Sequence, residues 1–326
     1  MIRFGAIGSS FISQKFIETA HSTQKFQLSA VFSRQLERAQ EFAAPFQSAQ
    51  AFADWQEFLA QDLDAIYIAS PNALHYEQAK AVLLAGKHAI VEKPMVCHPD
   101  QLAELLRIAK ENKVFLLEAA RNTYEAAFES IGSFLRNHTI LGAQFSYAKY
   151  SSKMPELLAG TEPNIFSEKM AGGALMDLGV YALYASVTLF GPAQKVAYQA
   201  QQLPNTVDLN GFGYLDYGHF QVGIFAGKNL TSTLVNEIYT DKGTLVLDSC
   251  QHIQKATFYY HDGSHIDLDI HAPSDNMLEE CLSFIHIIEK GDQVLADSLT
   301  QRAEAVHQAL YDMRQVAGIH FSSDPI

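Results

Sequence analysis

Five short apolar runs in the first third of the chain, Ile2 to Ile7, Leu28 to Phe32, Ala65 to Ala69, His88 to Val91 and Val114 to Leu117, read as strands buried on both faces. Helical patterns separate them: Phe11 to Ala20, Leu36 to Phe42, Asp54 to Leu59, Ala73 to Leu84 and Pro99 to Glu111. Pro99 suits a first helical turn, and Gly86 follows the preceding helix as a stop signal. Strands apolar on both sides must be covered on both sides, so this alternation predicts an α/β fold with a doubly wound parallel sheet.

After about Arg121 the texture changes. A helix from Tyr124 to Leu135 precedes strands near Ala143 to Tyr150, Lys195 to Gln201, Gly211 to Tyr217, His219 to Phe225, Leu230 to Tyr239, Gly243 to Leu247 and Ala256 to Tyr260. Asn210-Gly211, Asp241-Lys242-Gly243 and Asp262-Gly263 supply turns for antiparallel neighbours. Met170 to Leu189 reads as a glycine-led apolar helix, and Met277 to Glu289 and Leu299 to Ala317 as closing helices. The expected organisation is a dinucleotide-binding domain over 1–120. A second domain over 121–326 is α+β with a mainly antiparallel sheet, its C-terminal helices packing back.

A chain of 326 residues suits two cores. No apolar run reaches the roughly twenty residues of a membrane span, and Met1-Ile2-Arg3-Phe4 leads directly into a strand, so a soluble cytoplasmic protein with no membrane partner is expected. A formal charge of −13 argues against a general nucleic-acid binder. Cys97, Cys250 and Cys281 lie far apart without Cys-x-x-Cys spacing, and the histidines, including His261, His265 and His271, form no ligand pattern. Neither a disulfide framework nor a metal site is expected.

Gly5-Ala6-Ile7-Gly8-Ser9-Ser10-Phe11-Ile12-Ser13 turns a strand into a helix, the setting of a dinucleotide fingerprint. Gly8 fits the tight turn, and Ser10, Phe11 and Ile12 open the helix whose N–H groups would face a pyrophosphate. Ser10 and Ser13 replace the later glycines. The next strand ends in Ser33-Arg34, a hydroxyl and a guanidinium where an NAD site carries an acid, which favours a 2′-phosphate and so NADP(H), with NAD(H) possible. Taken alone, Arg34 is an ordinary surface residue opening a helix. Ser70, Pro71, Asn72 and His75, then Glu92, Lys93 and Pro94, close two further strands at the same carboxyl edge, where parallel sheets bind ligands.

Asp177 and Tyr181 lie four residues apart behind Gly172-Gly173, on one helix face. A phenol of pKa about 10 is a poor base at neutral pH, and a lysine cation nearby would stabilise its phenolate. Tyr181 is therefore the expected proton donor or acceptor, Lys93 its partner, and Asp177 an orienting carboxylate.

Gly5-Ala6-Ile7-Gly8, Ser70-Pro71-Asn72 with His75, Glu92-Lys93-Pro94, Gly172-Gly173 with Asp177 to Tyr181, and Tyr239 to Thr244 together resemble the Gfo/Idh/MocA-type oxidoreductases over nearly the whole chain. The resemblance implies an N-terminal Rossmann domain and a C-terminal open-faced sheet domain, with substrate between them beside the nicotinamide. It also implies Lys93 as the catalytic lysine and Asp177 and Tyr181 as the Asp-x-Gly-x-His/Tyr motif. The tyrosine form looks like the subgroup of glucose-fructose oxidoreductase and dimeric dihydrodiol dehydrogenase, which use NADP. A carbohydrate, polyol or diol substrate and a homodimer or higher homo-oligomer through the C-terminal sheet follow from it, and Arg121 with Asn122, after the sixth strand, is expected at the cofactor edge. The alternatives are a non-catalytic NAD(P)-binding sensor of the same fold and an NAD-dependent inositol or sugar dehydrogenase.

Overall fold

The computed structural model describes residues 1–46 and 49–324. The chain divides into two compact units, Met1–Ala119 with Met277–Thr300 and Ala120–Asn276 with Gln301–Ile326.

In the first unit, strands β1 (Ile2–Ile7), β2 (Phe26–Phe32), β3 (Gln50–Phe52), β4 (Ala65–Ile68), β5 (His88–Glu92) and β6 (Leu116–Ala119) form one sheet in the order β3-β2-β1-β4-β5-β6. Every pairing is parallel. The expected doubly wound sheet is present, and its chain order reverses beside β1, which opens a crevice at the carboxyl ends of β1 and β4. The short edge strand β3 has no apolar run to announce it. Aromatic packing fills the core: Phe16 stacks on Tyr67 at 3.8 Å and meets Phe4 edge-on at 6.0 Å. Phe284, on the helix Leu278–Lys290, packs on the same Phe16 at 6.4 Å.

Two histidines of this unit are held neutral. The Nε2 of His21 accepts the Leu28 N–H at 3.0 Å, and the Nδ1 of His88 accepts the Phe115 N–H at 2.9 Å. A nitrogen that accepts carries no proton, and burial pushes both imidazoles below their ordinary value. The unfolded chain takes up protons as pH falls through about 6.5 while the folded unit resists, so stability is full above that value and declines below it. The denaturant midpoint should therefore be lower at about pH 5.5 than at about pH 7.5, and an equal or higher midpoint would show that these rings are not buried acceptors.

In the second unit, strands β7 (Ile140–Ala148), β8 (Lys195–Gln202), β9 (Asp208–Asp216), β10 (Gln221–Gly227), β11 (Asn236–Thr240), β12 (Gly243–Leu247), β13 (Ala256–Tyr260) and β14 (His265–Asp267) pair in the order β14-β13-β12-β11-β7-β10-β9-β8. Only β7 and β10 run parallel. The strand expected from Leu230 begins only at Asn236, because the preceding residues leave the ladder; among their contacts with it, the Ser232 N–H reaches the Ala148 carbonyl at 3.0 Å.

The segment expected as a glycine-led helix from Met170 to Leu189 becomes helical only after Gly172-Gly173, and its first turn is wider than an α-helix. A 3₁₀ turn at Glu168–Met170 precedes a π-helical turn at Leu175–Gly179 and then an α-helix at Val180–Phe190. The stretch Glu168–Phe190 is long and apolar enough to cross a membrane by length and composition alone, contrary to expectation, yet 78% of its apolar window is buried, as in a core helix. Gly173 adopts φ +125°, and a Cβ there would overlap Asp208. Asp208 is 1% exposed, and its Oδ2 accepts the Leu175 N–H and the Tyr198 hydroxyl, each at 2.7 Å. Burial raises its carboxyl pKa, while these two donors hold it down. Asp208→Ala orphans both donors and should cost about 2–4 kcal/mol, read as a lower denaturant midpoint; a loss under about 0.5 kcal/mol would contradict this anchoring role.

Candidate active site

At the mouth of the parallel sheet, Gly8 has φ +100°, and a Cβ would overlap the Ala69 carbonyl. The chain then enters the helix Phe11–Ser22, whose first turn is capped by the Ser10 hydroxyl accepting the Ser13 N–H at 3.3 Å. Ser9, Ser10 and Phe11 are exposed, Phe11 at 81%, and Ile12 is half-buried. Helix N–H groups and a tight glycine turn beside an open surface suit an anionic phosphate. Ser33 is half-buried and Arg34 exposed at the end of β2. Both stand where a ribose phosphate would be gripped in this topology, and the residues present fit a dinucleotide.

The β4 and β5 ends are tied to each other by His75. Its ring is 1% exposed, with Nε2 2.7 Å from the Ser70 carbonyl and Nδ1 3.0 Å from that of Pro94. Burial is the main cause of its lowered pKa, and the adjoining Lys93 adds to it. A neutral imidazole donates to only one of the two carbonyls. Glu92, also buried, accepts the Tyr67 hydroxyl at 2.7 Å, and Glu118 accepts the Met95 N–H at 2.9 Å. These contacts brace both flanks of Lys93, which is half-buried and followed by a cis peptide to Pro94. Pro71 and Asn72 are half-buried at the β4 end, where Asn72 opens a 3₁₀ turn.

Asp177 and Tyr181 belong to the second unit. Asp177 lies in the π-helical turn, and its Oδ2 accepts from the ammonium of Lys228, which is 5% exposed. Lys228 was missed in the sequence, although the signal is the one that marked Lys93: an apolar run, here Val222 to Gly227, ending in a lysine. Tyr181 is 6% exposed. The Arg121 guanidinium lies over its ring, 5.0 Å from the centroid, and Tyr147 meets the ring edge-on at 5.6 Å. Arg121 also donates to the Gln251 side chain. Asn122, fully buried, donates from Nδ2 to the carbonyls of Tyr181 and Cys250, each at 3.0 Å. Next to them Glu125 accepts the Ile253 N–H and pairs with the His252 ring, both at 3.0 Å. Chemically, the second unit offers a phenol beneath a permanent cation and a carboxylate paired with an ammonium. Among the described residues, no three His, Cys, Asp or Glu side chains gather as a metal site.

Residues 2–119 match the model of an oxidoreductase family with an NAD-binding Rossmann fold, GFO_IDH_MocA, and residues 140–246 match the GFO/IDH/MocA C-terminal domain. The chain is 36% identical over 326 residues to a scyllo-inositol 2-dehydrogenase (NADP(+)) of Bacillus subtilis, covering 99% of each protein. It is 26% identical over 341 aligned positions to the trans-1,2-dihydrobenzene-1,2-diol dehydrogenase of Sus scrofa, again covering 99% of each. In fold it is similar to a 3-ketoreductase from Actinomadura kijaniata solved with NADP and TDP-benzene, with a TM-score of 0.84 at 20% identity over 97% of this chain and 98% of that one.

Lys228→Met removes the cation from a carboxylate whose side chain is only 27% exposed. Because Asp177 keeps some solvent, the expected loss is about 2 kcal/mol, below that of a fully buried pair. Chemical denaturation reads it, and a variant as stable as the parent would show the pair to be incidental.

Proposed function

Because the chain belongs to the Gfo/Idh/MocA family of NAD(P)-dependent oxidoreductases, we propose that it transfers a hydride between NADP(H) and a secondary alcohol or carbonyl of a polyol, sugar or diol, with a cyclic polyol as the first candidate. The observation that carries this reading is the full-length similarity to an NADP-dependent inositol dehydrogenase. Arg34, exposed at the end of β2 with no acid beside Ser33, supports the 2′-phosphate. Gly8, Ser10, Phe11, Ile12, Ser33, Arg34, Ser70, Pro71, Asn72, Glu92, Lys93 and Pro94 would hold the dinucleotide, with His75 as the brace behind them. When bound, the nicotinamide supplies the hydride acceptor or donor.

The proton is the protein's part. In the oxidative direction the Tyr181 phenolate takes the hydroxyl proton as the carbinol carbon gives up its hydride, and in reduction the phenol returns it. Lys93 binds the substrate oxygen and favours the phenolate. Asp177, fixed by Lys228, orients the hydroxyl. Buried cysteines outside any disulfide at Cys97, Cys250 and Cys281 suit a reducing compartment, and we place the activity in the cytoplasm.

Lys93→Met and Tyr181→Phe should each lower turnover by about 100-fold or more with inositols and NADP+, while in Tyr181→Phe NADPH binding, followed by fluorescence titration, persists. Near-parent turnover in both variants would overturn the assignment. Cofactor binding without turnover across inositols, aldoses and cyclic diols would support the non-catalytic sensor instead.

We further propose a homodimer through the open face of the second sheet. Register places Phe212, Tyr214, Tyr239 and Tyr259 on one face, and they are 63%, 42%, 38% and 47% exposed. Such an aromatic face is unusual on a monomer. Phe212→Lys with Tyr214→Lys should convert a dimer in sedimentation velocity to a monomer; a parent already monomeric at micromolar concentration would end the proposal.

A further inference from the structure

Tyr181 combines two properties that oppose each other. It is buried, and burial penalises a phenolate, as it does at Tyr198 and Tyr217, both pushed upward chiefly by desolvation. A buried tyrosine exchanges protons near neutral pH only if a cation offsets that penalty. The charged and titratable groups around its ring come from several elements. Asp177, one turn earlier on the same helical run, would disfavour a phenolate, but its charge is met by Lys228 at the end of β10. Glu125, just before the helix Ala126–Leu135, is committed to the His252 ring and the Ile253 N–H. Tyr147 of β7 presents a neutral edge. The Arg121 guanidinium is a permanent cation facing the Tyr181 ring.

Its place over the ring is built. Asn122, the next residue, is fully buried and bridges the backbone carbonyls of Tyr181 and Cys250, while the guanidinium is held by Gln251. The short 3₁₀ segment Arg121–Tyr124 is thereby pinned to the helix that carries Tyr181. We propose that Arg121 is a positioning residue that stabilises the Tyr181 phenolate and fixes the plane of its ring. A guanidinium over an aromatic face gains attraction in either protonation state and gains more when the ring is anionic. Arg121 therefore acts on the reaction through Tyr181. The inference deepens the proposed acid–base role of that residue and matters to turnover only if that role is right.

The test reads Tyr181 without cofactor or substrate. The full chain, labelled at tyrosine Cζ, is titrated by NMR, with the Tyr181 resonance identified by its loss in Tyr181→Phe. The parent Tyr181 should titrate below the ordinary phenol value of about 10. Arg121→Met and Arg121→Gln should each raise the midpoint by about one pH unit or more, and Arg121→Lys, which keeps the charge, should restore most of the difference. A parent midpoint at or above the ordinary value overturns the proposal with no variant needed, as does an unchanged midpoint in either folded neutral variant. If the midpoint moves as expected while Tyr181→Phe retains turnover, the Arg121 inference stands and the catalytic assignment to Tyr181 fails.

Discussion

The first N–H groups of the helical run that carries Asp177 and Tyr181 are buried in an apolar core, where an unsatisfied donor costs about 1–3 kcal/mol. Asp208 answers that requirement from β9, by accepting the Leu175 N–H and by fitting against a glycine that has no Cβ to exclude it. The start of the helix fixes its register, and the register fixes which side chains face Lys228 and Arg121. A neutral or displaced acceptor at this point would leave the run free to unwind from the end that carries Asp177 and Tyr181.

From that anchor the second unit assembles charge in pairs. Asp177 meets Lys228, Glu125 meets His252, and Arg121 lies over Tyr181. Ion pairs of this kind contribute little to net stability, because desolvation offsets their attraction. Their effect is to hold the side chains in one orientation. The π-helical turn at Leu175–Gly179 fits the same pattern, since such turns recur at functional sites despite poorer backbone bonding.

Much of this architecture was legible in the residues. Strands apolar on both faces, such as Ala65 to Ile68, announce a parallel sheet because only helices on both sides can cover them. The turns at Asp241-Lys242 and Asp262-Gly263 announce antiparallel partners because their residues tolerate tight geometry. Gln50–Phe52 escaped because an edge strand of three residues carries no apolar alternation. The π-helical turn at Leu175–Gly179 escaped because Gly172-Gly173 gives only the helix start, whereas Asp208, which accepts the Leu175 N–H, lies some thirty residues later in the chain. The partners of Lys228, Asn122 and Arg121 were illegible because each lies distant in sequence, and neither periodicity nor spacing records such pairs.

Hydride transfer between a carbinol carbon and a pyridine nucleotide is the centre of this account, and isotope transfer tests it most directly. Incubation of the protein with NADP+ and inositol deuterated at its ring carbons should yield NADPH carrying deuterium at C4 of the nicotinamide, read by NMR or mass spectrometry. Reduced cofactor without deuterium, or no reduced cofactor across the polyols, sugars and diols proposed, would contradict it.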